Sequence, residues 1–215
     1  MADGVDEIRL RASAMGGSER IYLLQRGDHA DPDTYNVIGG VAPGVDRSRW
    51  PMVSGEPMTH LFTLDTTTMP ELTRGIGDIR AVSVFCLHPE DNEAYSPGNT
   101  DTALVLSTDT QLAAAGDPPA TPELGRAYFE PVAVDVDPGV WRDDENDPAP
   151  STEITELRDL IFGAHARVLG KPIWLQFDED SGTFLMQFDD NFCPMNLGDS
   201  GVMYVFRSTA FWQCY

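Results

Sequence analysis

The clearest periodicity in the chain lies at 154–168, where Ile154, Leu157, Ile161, Ala164 and Val168 recur at spacings of three and four. That spacing puts them on one face of an amphipathic helix, which is predicted to bury against a sheet. Ser151 or Thr152 can cap its start, and Glu153 and Glu156 suit the positive end of its dipole. Gly170 and then Pro172 are expected to stop it. A second, short helix is expected within 5–14. Elsewhere the pattern is that of strands. Apolar runs at 21–25, 58–64, 103–106, 132–136, 173–177 and 202–207 read as strands, separated by Gly, Pro and Asp turns. The near-continuous run at 79–87, with Val82, Val84, Phe85 and Cys86, reads as a central strand covered on both faces. At 183–188, Phe184, Met186 and Phe188 alternate with Leu185 and Gln187, the pattern of a half-buried strand. Asp180-Ser181-Gly182 before it has the chemistry of a hairpin turn.

Strands outnumber helices, so the predicted class is α+β, mainly antiparallel sheet with one clear amphipathic helix. The 215 residues suffice for one well-filled core and are few for two, which predicts a single domain over 1–215. The sharpest break is WRDDENDPAPS at 141–151, read as an acidic surface loop or internal linker. One internal echo stands out. Gly55-Glu56-Pro57 leads into an apolar run ending at Asp65, and Gly170-Lys171-Pro172 leads into one ending at Asp178. A duplicated sheet unit would account for this, and so would chance.

Charge changes the picture most. The formal net charge is -21, and Lys171 is the only lysine. Such a surface repels nucleic acid and anionic lipid, which excludes both as direct partners. It attracts a basic protein; solubility or adaptation to salt explains it equally well. No apolar run approaches the roughly 20 residues that span a bilayer. The opening MADGVDEIRLR has no apolar core of a secretory signal, so a cytoplasmic location is expected. Cys86, Cys193 and Cys214 are odd in number and form no C-x-x-C pair, which argues against a disulfide framework. Cys86 and Cys193 lie in apolar surroundings and read as buried small hydrophobes.

Three segments together resemble the YwqG-like family of bacterial proteins. They are Gly39-Gly40 with Trp50-Pro51 and Gly55-Glu56-Pro57-Met58; Leu169-Gly170-Lys171-Pro172-Ile173-Trp174-Leu175-Gln176; and Phe184-Leu185-Met186-Gln187-Phe188 followed by Leu197-Gly198-Asp199-Ser200-Gly201-Val202-Met203-Tyr204-Val205-Phe206. The likeness covers 36–215, with a poorly matched middle at 90–150. The family usually shows a second glycine where Leu169 stands, and a more compact middle. The resemblance implies a compact single-domain α+β fold and no catalytic residues. Some relatives are thought to be immunity proteins paired with bacterial toxins.

No complete catalytic or metal motif is present. Gly198-Asp199-Ser200-Gly201 matches a serine-protease nucleophile segment, but His29, His60, His88 and His165 lie in no catalytic-histidine context. A tight turn feeding the last strand is the expected reading. The acids of 178–180, 189–190 and 135–137 do not complete an EF-hand pattern, and no His or Cys residues fall at zinc-ligand spacing, so no metal is expected. No phosphate-binding glycine loop appears, and no cofactor is expected. His60 and His165 read as hydrogen-bonded core residues. Trp50, Trp174 and Trp212 read as core or half-buried sheet residues. Trp141, beside the acids Asp143, Asp144, Glu145 and Asp147, is either an exposed binding anchor or a packing anchor for the loop.

Two functions follow. One is a non-enzymatic binding protein, such as an immunity protein that uses these five residues against a basic toxin. The alternative is an enzyme or small-molecule binder with its site in a cleft between sheet layers.

Overall fold

The computed structural model describes residues 2–27, 33–91, 94–114, 116–121, 124–142, 150–179 and 181–215. Helix α1 (Ala2–Met15) leads into β1 (Glu19–Gly27) and β2 (Val37–Ile38). A small hairpin, β3 (Met52–Val53) and β4 (Glu56–Pro57), precedes β5 (Thr59–Asp65). Then come α2 (Thr73–Ile76), β6 (Ala81–Cys86), β7 (Thr102–Ser107), α3 (Asp109–Ala113) and β8 (Ala127–Val136). Helix α4 (Thr152–Phe162) and strands β9 (Ala166–Val168), β10 (Phe184–Phe188), β11 (Val202–Phe206) and β12 (Ala210–Gln213) close the chain. Apart from β3 and β4, the strands form one antiparallel 10-stranded sheet in the order β12-β11-β10-β9-β1-β8-β2-β5-β6-β7. The class is α+β and mainly antiparallel, as the patterning predicts. Among the described residues no helix is long and apolar enough to cross a membrane.

The sheet curls on itself. Val84 and Leu64 from one end and Met203, Ala210 and Trp212 from the other share a single buried core. Closure is fastened by Thr102 Oγ1, which donates to the Ala210 carbonyl at 2.7 Å, and by Trp212 N, which donates to the Ala94 carbonyl at 2.9 Å. Cys86 and Cys193 lie in this core; burial pushes the Cys86 thiol up to about 12 and raises that of Cys193 as well. Strand β6 is buried along its whole length, covered inside by this core and outside by a cluster around Trp50 and Phe85.

The sheet contains a structural repeat, in a register other than that of the echo in the sequence. Strands β1, β2, β5, β6 and β7 form one half, and β8 to β12 the other, with the first strand of each half inserted beside the other half. Ile38 lies opposite Phe62 and Ala127; Val168 lies opposite Met186 and Tyr22. Both β5 and β10 carry a bulge, and there Gly39 N donates to Leu61 O at 2.7 Å and Leu169 N to Leu185 O at 2.8 Å. The turns after β2 and β9 are both left-handed, at Gly39 (φ 64) and Gly40 (φ 62), and at Leu169 (φ 67) and Gly170 (φ 76). Trp50 packs on Phe85, and Trp174 on Phe206. Gly55 belongs instead to the β3–β4 turn, so the repeat pairs Gly40, and not Gly55, with Gly170.

Four local expectations need correction. The helix stops at Phe162, capped by Gly163, because Ala166–Val168 is drawn into the ladder between β1 and β10. Leu157 and Ile161 are buried against the outer face of β1 and β8, whereas Ala164 and Val168 lie beyond the helix. Ser151 is the cap, accepting a bond from Ile154 N at 3.4 Å. Residues 173–177 are not a strand, since β10 already has β9 and β11 as neighbours. They cross the outer face as a strap whose amides are held by side chains: Ile173 N donates to Gln187 Oε1, Leu175 N to the Tyr204 hydroxyl, and Gln176 N to Gln213 Oε1. No strand precedes Ser181 and Gly182 in 173–179, so these two residues do not join a hairpin; Asp180, the first residue of the expected turn, lies outside the described residues. Finally, the β10 bulge puts Phe184 outside and Leu185, Met186 and Phe188 inside, so Phe184 and Met186 do not share a face.

The two halves satisfy the carbonyls of their left-handed turns differently. In the first, His60 Nδ1 donates to the Gly39 and Gly40 carbonyls. Its Nε2 accepts from Thr63 Oγ1 at 2.9 Å, and Thr63 Oγ1 accepts from Ser83 Oγ at 2.8 Å. Burial pushes the His60 imidazole down to about 4. The unfolded chain therefore binds more protons than the folded one between about pH 6.5 and 4, so stability falls as pH drops through that window. The loss at the low end should reach about 3 kcal/mol. Urea midpoints measured across the window should fall more steeply for the native chain than for His60→Gln; equal slopes would show that His60 does not drive the dependence.

Candidate functional site

The structural repeat gives a reference for finding what one half does that the other does not. Strand β5 ends in Asp65, and Asp189, directly after β10, stands at the equivalent place beyond the bulge. Asp65 is fully buried and sealed. It accepts bonds from Tyr35 N at 3.0 Å, Thr67 N at 2.9 Å and Thr67 Oγ1 at 2.8 Å, and it pairs with Arg80. Its role is structural.

Asp189 keeps the turn-capping role, with Oδ1 accepting from Asn191 N at 2.9 Å and Phe192 N at 3.2 Å. Its other oxygen accepts from His165 Nδ1 at 2.8 Å, and its amide donates to the His165 carbonyl at 2.9 Å. A carboxylate only accepts, so the Nδ1 proton is fixed and the remaining ring nitrogen, Nε2, is an acceptor in the neutral ring. The His165 and Asp189 side chains are 37% and 27% exposed, in contrast to the sealed acid of the other half. His165, expected as a core residue, is thus half-open at a surface.

That surface is a cleft. The first turns of α1, the end of β1 and the last turn of α4 enclose a cavity of about 440 Å³. Val5, Ile8, Leu23, Leu160 and Phe192 make its walls mostly apolar. Gln25, Arg26, Asp159, His165 and Asn191 supply its polar groups. Arg26 spends Nε and Nη2 on the Phe192 carbonyl, at 3.2 and 2.8 Å, which ties the 189–192 turn to β1. Arg11 on α1 bonds Glu156 on α4 at 2.6 Å, holding the two helices together beside the cleft. A smaller cavity of about 380 Å³ lies on the Asp189 side and shares Gly163, Ala164 and Asn191 with the first. A concave site of this size, apolar with a few converging polar groups, is the usual form of a small-ligand site.

Trp141, the aromatic of the expected binding surface, is buried at 8% exposure. Its Nε1 donates to Glu19 Oε2 at 2.9 Å, and the Arg167 guanidinium lies 4.6 Å from its ring centre. It is a packing anchor, because the ring fills the space above Gly170, and it offers no exposed apolar tip. Asp143, Asp144, Glu145 and Asp147 lie outside the described residues. Ser200 lines the smaller cavity with left-handed backbone (φ 50), and its hydroxyl approaches Asp199 Oδ1 at 3.4 Å. No hydrogen bond joins it to a histidine among the described residues. Asp137 caps the turn at Gly139 N, at 2.7 Å. No cluster of three or more His, Cys, Asp or Glu side chains is placed to hold a metal among the described residues.

Sequence reasoning missed the His165–Asp189 pair because the pairing of β9 with β10 creates it. Its signal was the parallel between Leu61-Phe62-Thr63-Leu64-Asp65 and Leu185-Met186-Gln187-Phe188-Asp189, which marks the acid as a repeated position. No protein-family model matches the chain, and a search of curated proteins gives no match.

Proposed function

We propose that this chain is a non-enzymatic binding protein whose ligand is a small molecule seated in the cleft between α1, α4 and the end of β1. One observation carries the reading: of two equivalent acids, one is sealed by Arg80, while the other holds a histidine at the wall of a cavity. Structural duty alone accounts for the first and leaves the open geometry of the second unused. The site lies between helices and a sheet face, and among the described residues no complete catalytic set accompanies the pair. A cytoplasmic location and YwqG-like membership are part of the same proposal.

A second reading is favoured by the net charge of -21: a basic protein partner, such as a toxin domain, drawn to acids that include Asp143, Asp144, Glu145 and Asp147. Amide chemical-shift mapping separates the two. Fragment-sized ligands should shift amides at 4–8, 23–26, 159–165 and 189–192. Shifts confined to other surfaces would remove the cleft reading. A basic partner should instead perturb 142–150, more weakly as salt rises; salt-independent binding would remove the second reading.

A further inference from the structure

We infer that the cleft selects an organic amine, with an apolar body along Val5, Ile8, Leu160 and Phe192 and an ammonium group held by Asp159 and His165. This rests on the cleft being the binding site. The wall chemistry decides the class. His165 gives its Nδ1 proton to Asp189, so what it offers a ligand in its neutral form is the Nε2 lone pair, which calls for a donor. Nε2 bonds no protein group among the described residues. Asp159 is exposed on α4 and lines the cavity, and its carboxylate pairs with no cation among the described residues. A carboxylate can only accept, so both groups call for a hydrogen-bond donor, and the charge of Asp159 favours one that is positive.

Among the described residues the one opposing group on the wall is Arg26, and two of its nitrogens are committed to the Phe192 carbonyl. Counting Asp159 and the Asp189 carboxylate behind His165 against Arg26, the immediate surroundings are net negative. The whole chain, at -21, adds a field that concentrates cations and repels anions. An apolar acid would meet acceptors where it needs donors. An apolar alcohol would satisfy one acceptor and leave the charge of Asp159 unanswered.

The experiment compares three probes of equal chain length, n-octylamine, n-octanol and n-octanoate, by calorimetric titration near neutral pH. Octylamine should bind about tenfold tighter than either of the others, as one charge-assisted contact provides. Asp159→Asn should erase that preference by weakening octylamine about tenfold, with no matching loss for the alcohol. Ala164→Trp, which fills the cavity, should abolish binding of all three; if that variant fails to fold, Leu160→Trp serves the same purpose. Equal affinities, tighter octanoate, or a preference that survives Asp159→Asn would overturn the amine assignment and leave the cleft standing. Failure of all three to bind, with fragment shifts still at the cleft, would do the same. Binding untouched by both cavity-filling variants would sink the cleft reading itself.

Discussion

Arg167→Ala should destabilise the protein by about 3–5 kcal/mol, the combined cost of buried acceptors left without donors and of the void the side chain leaves. Arg167 is the largest fully buried side chain of the fold. Its Nη1 donates to the Leu169 carbonyl at 2.5 Å, and its Nη2 to the Lys171 carbonyl and Gln187 Oε1, each at 2.6 Å. The guanidinium lies between the rings of Trp141 and Phe184, at 4.6 and 5.4 Å from their centres. Burial pushes its ionisation down to about 9, so it remains charged at neutral pH, with carbonyls and ring faces in place of water. Truncation leaves the two turn carbonyls without donors, each costing about 1–3 kcal/mol, and opens a void beneath Trp141. Arg167→Met, close in volume, restores the packing and none of the bonds. The difference between the two variants in denaturant midpoints therefore separates the two costs. A loss below about 1 kcal/mol for Arg167→Ala, the range of a surface change, would show that the strap and its turn do not depend on this side chain.

Leu157→Ala should cost about 2–5 kcal/mol. Leu157 is fully buried, and with Ile161 it packs α4 against Ile21 and Leu23 of β1, Val134 and Val136 of β8, and Ile8 and Ala12 of α1. Helix and sheet there are held mainly by apolar burial, and both flanking helices lose a contact when the side chain is shortened. Ile154, on the same face and only half-buried, should lose less on truncation, which makes it the internal comparison. Equilibrium unfolding in urea measures both. A change under about 1 kcal/mol at Leu157 would mean that the face is not core. Because α4 also walls the cleft, Leu157→Ala should weaken octylamine binding along with the fold, whereas Asp159→Asn should touch only the binding.

What the sequence by itself determined is everything that rests on local pattern. The period-two and continuous apolar runs placed β5, β6, β7, β10 and β11. The three-four spacing placed Leu157 and Ile161 on one buried face, and Ser151 announced the start of α4. These follow from backbone periodicity and capping, which a short window contains. Tertiary structure decided where that periodicity gave way to competition for partners. Val168 fits the helical face by spacing, yet the slot between β1 and β10 claims it, because a strand there satisfies both neighbouring ladders. Residues 173–177 are as strand-like as any, yet β9 and β11 already hold both sides of β10, the strand that follows them, so Gln187, Tyr204 and Gln213 satisfy their amides instead. The structural repeat was visible as an echo but misaligned, since the segments at the equivalent point of the two halves differ in length and form, with the β3–β4 hairpin between β2 and β5 and the strap between β9 and β10. The candidate site followed the same rule. His165 and Asp189 are ordinary residues far apart in sequence, and only the antiparallel register of β9 with β10 sets them side by side at the mouth of a cleft.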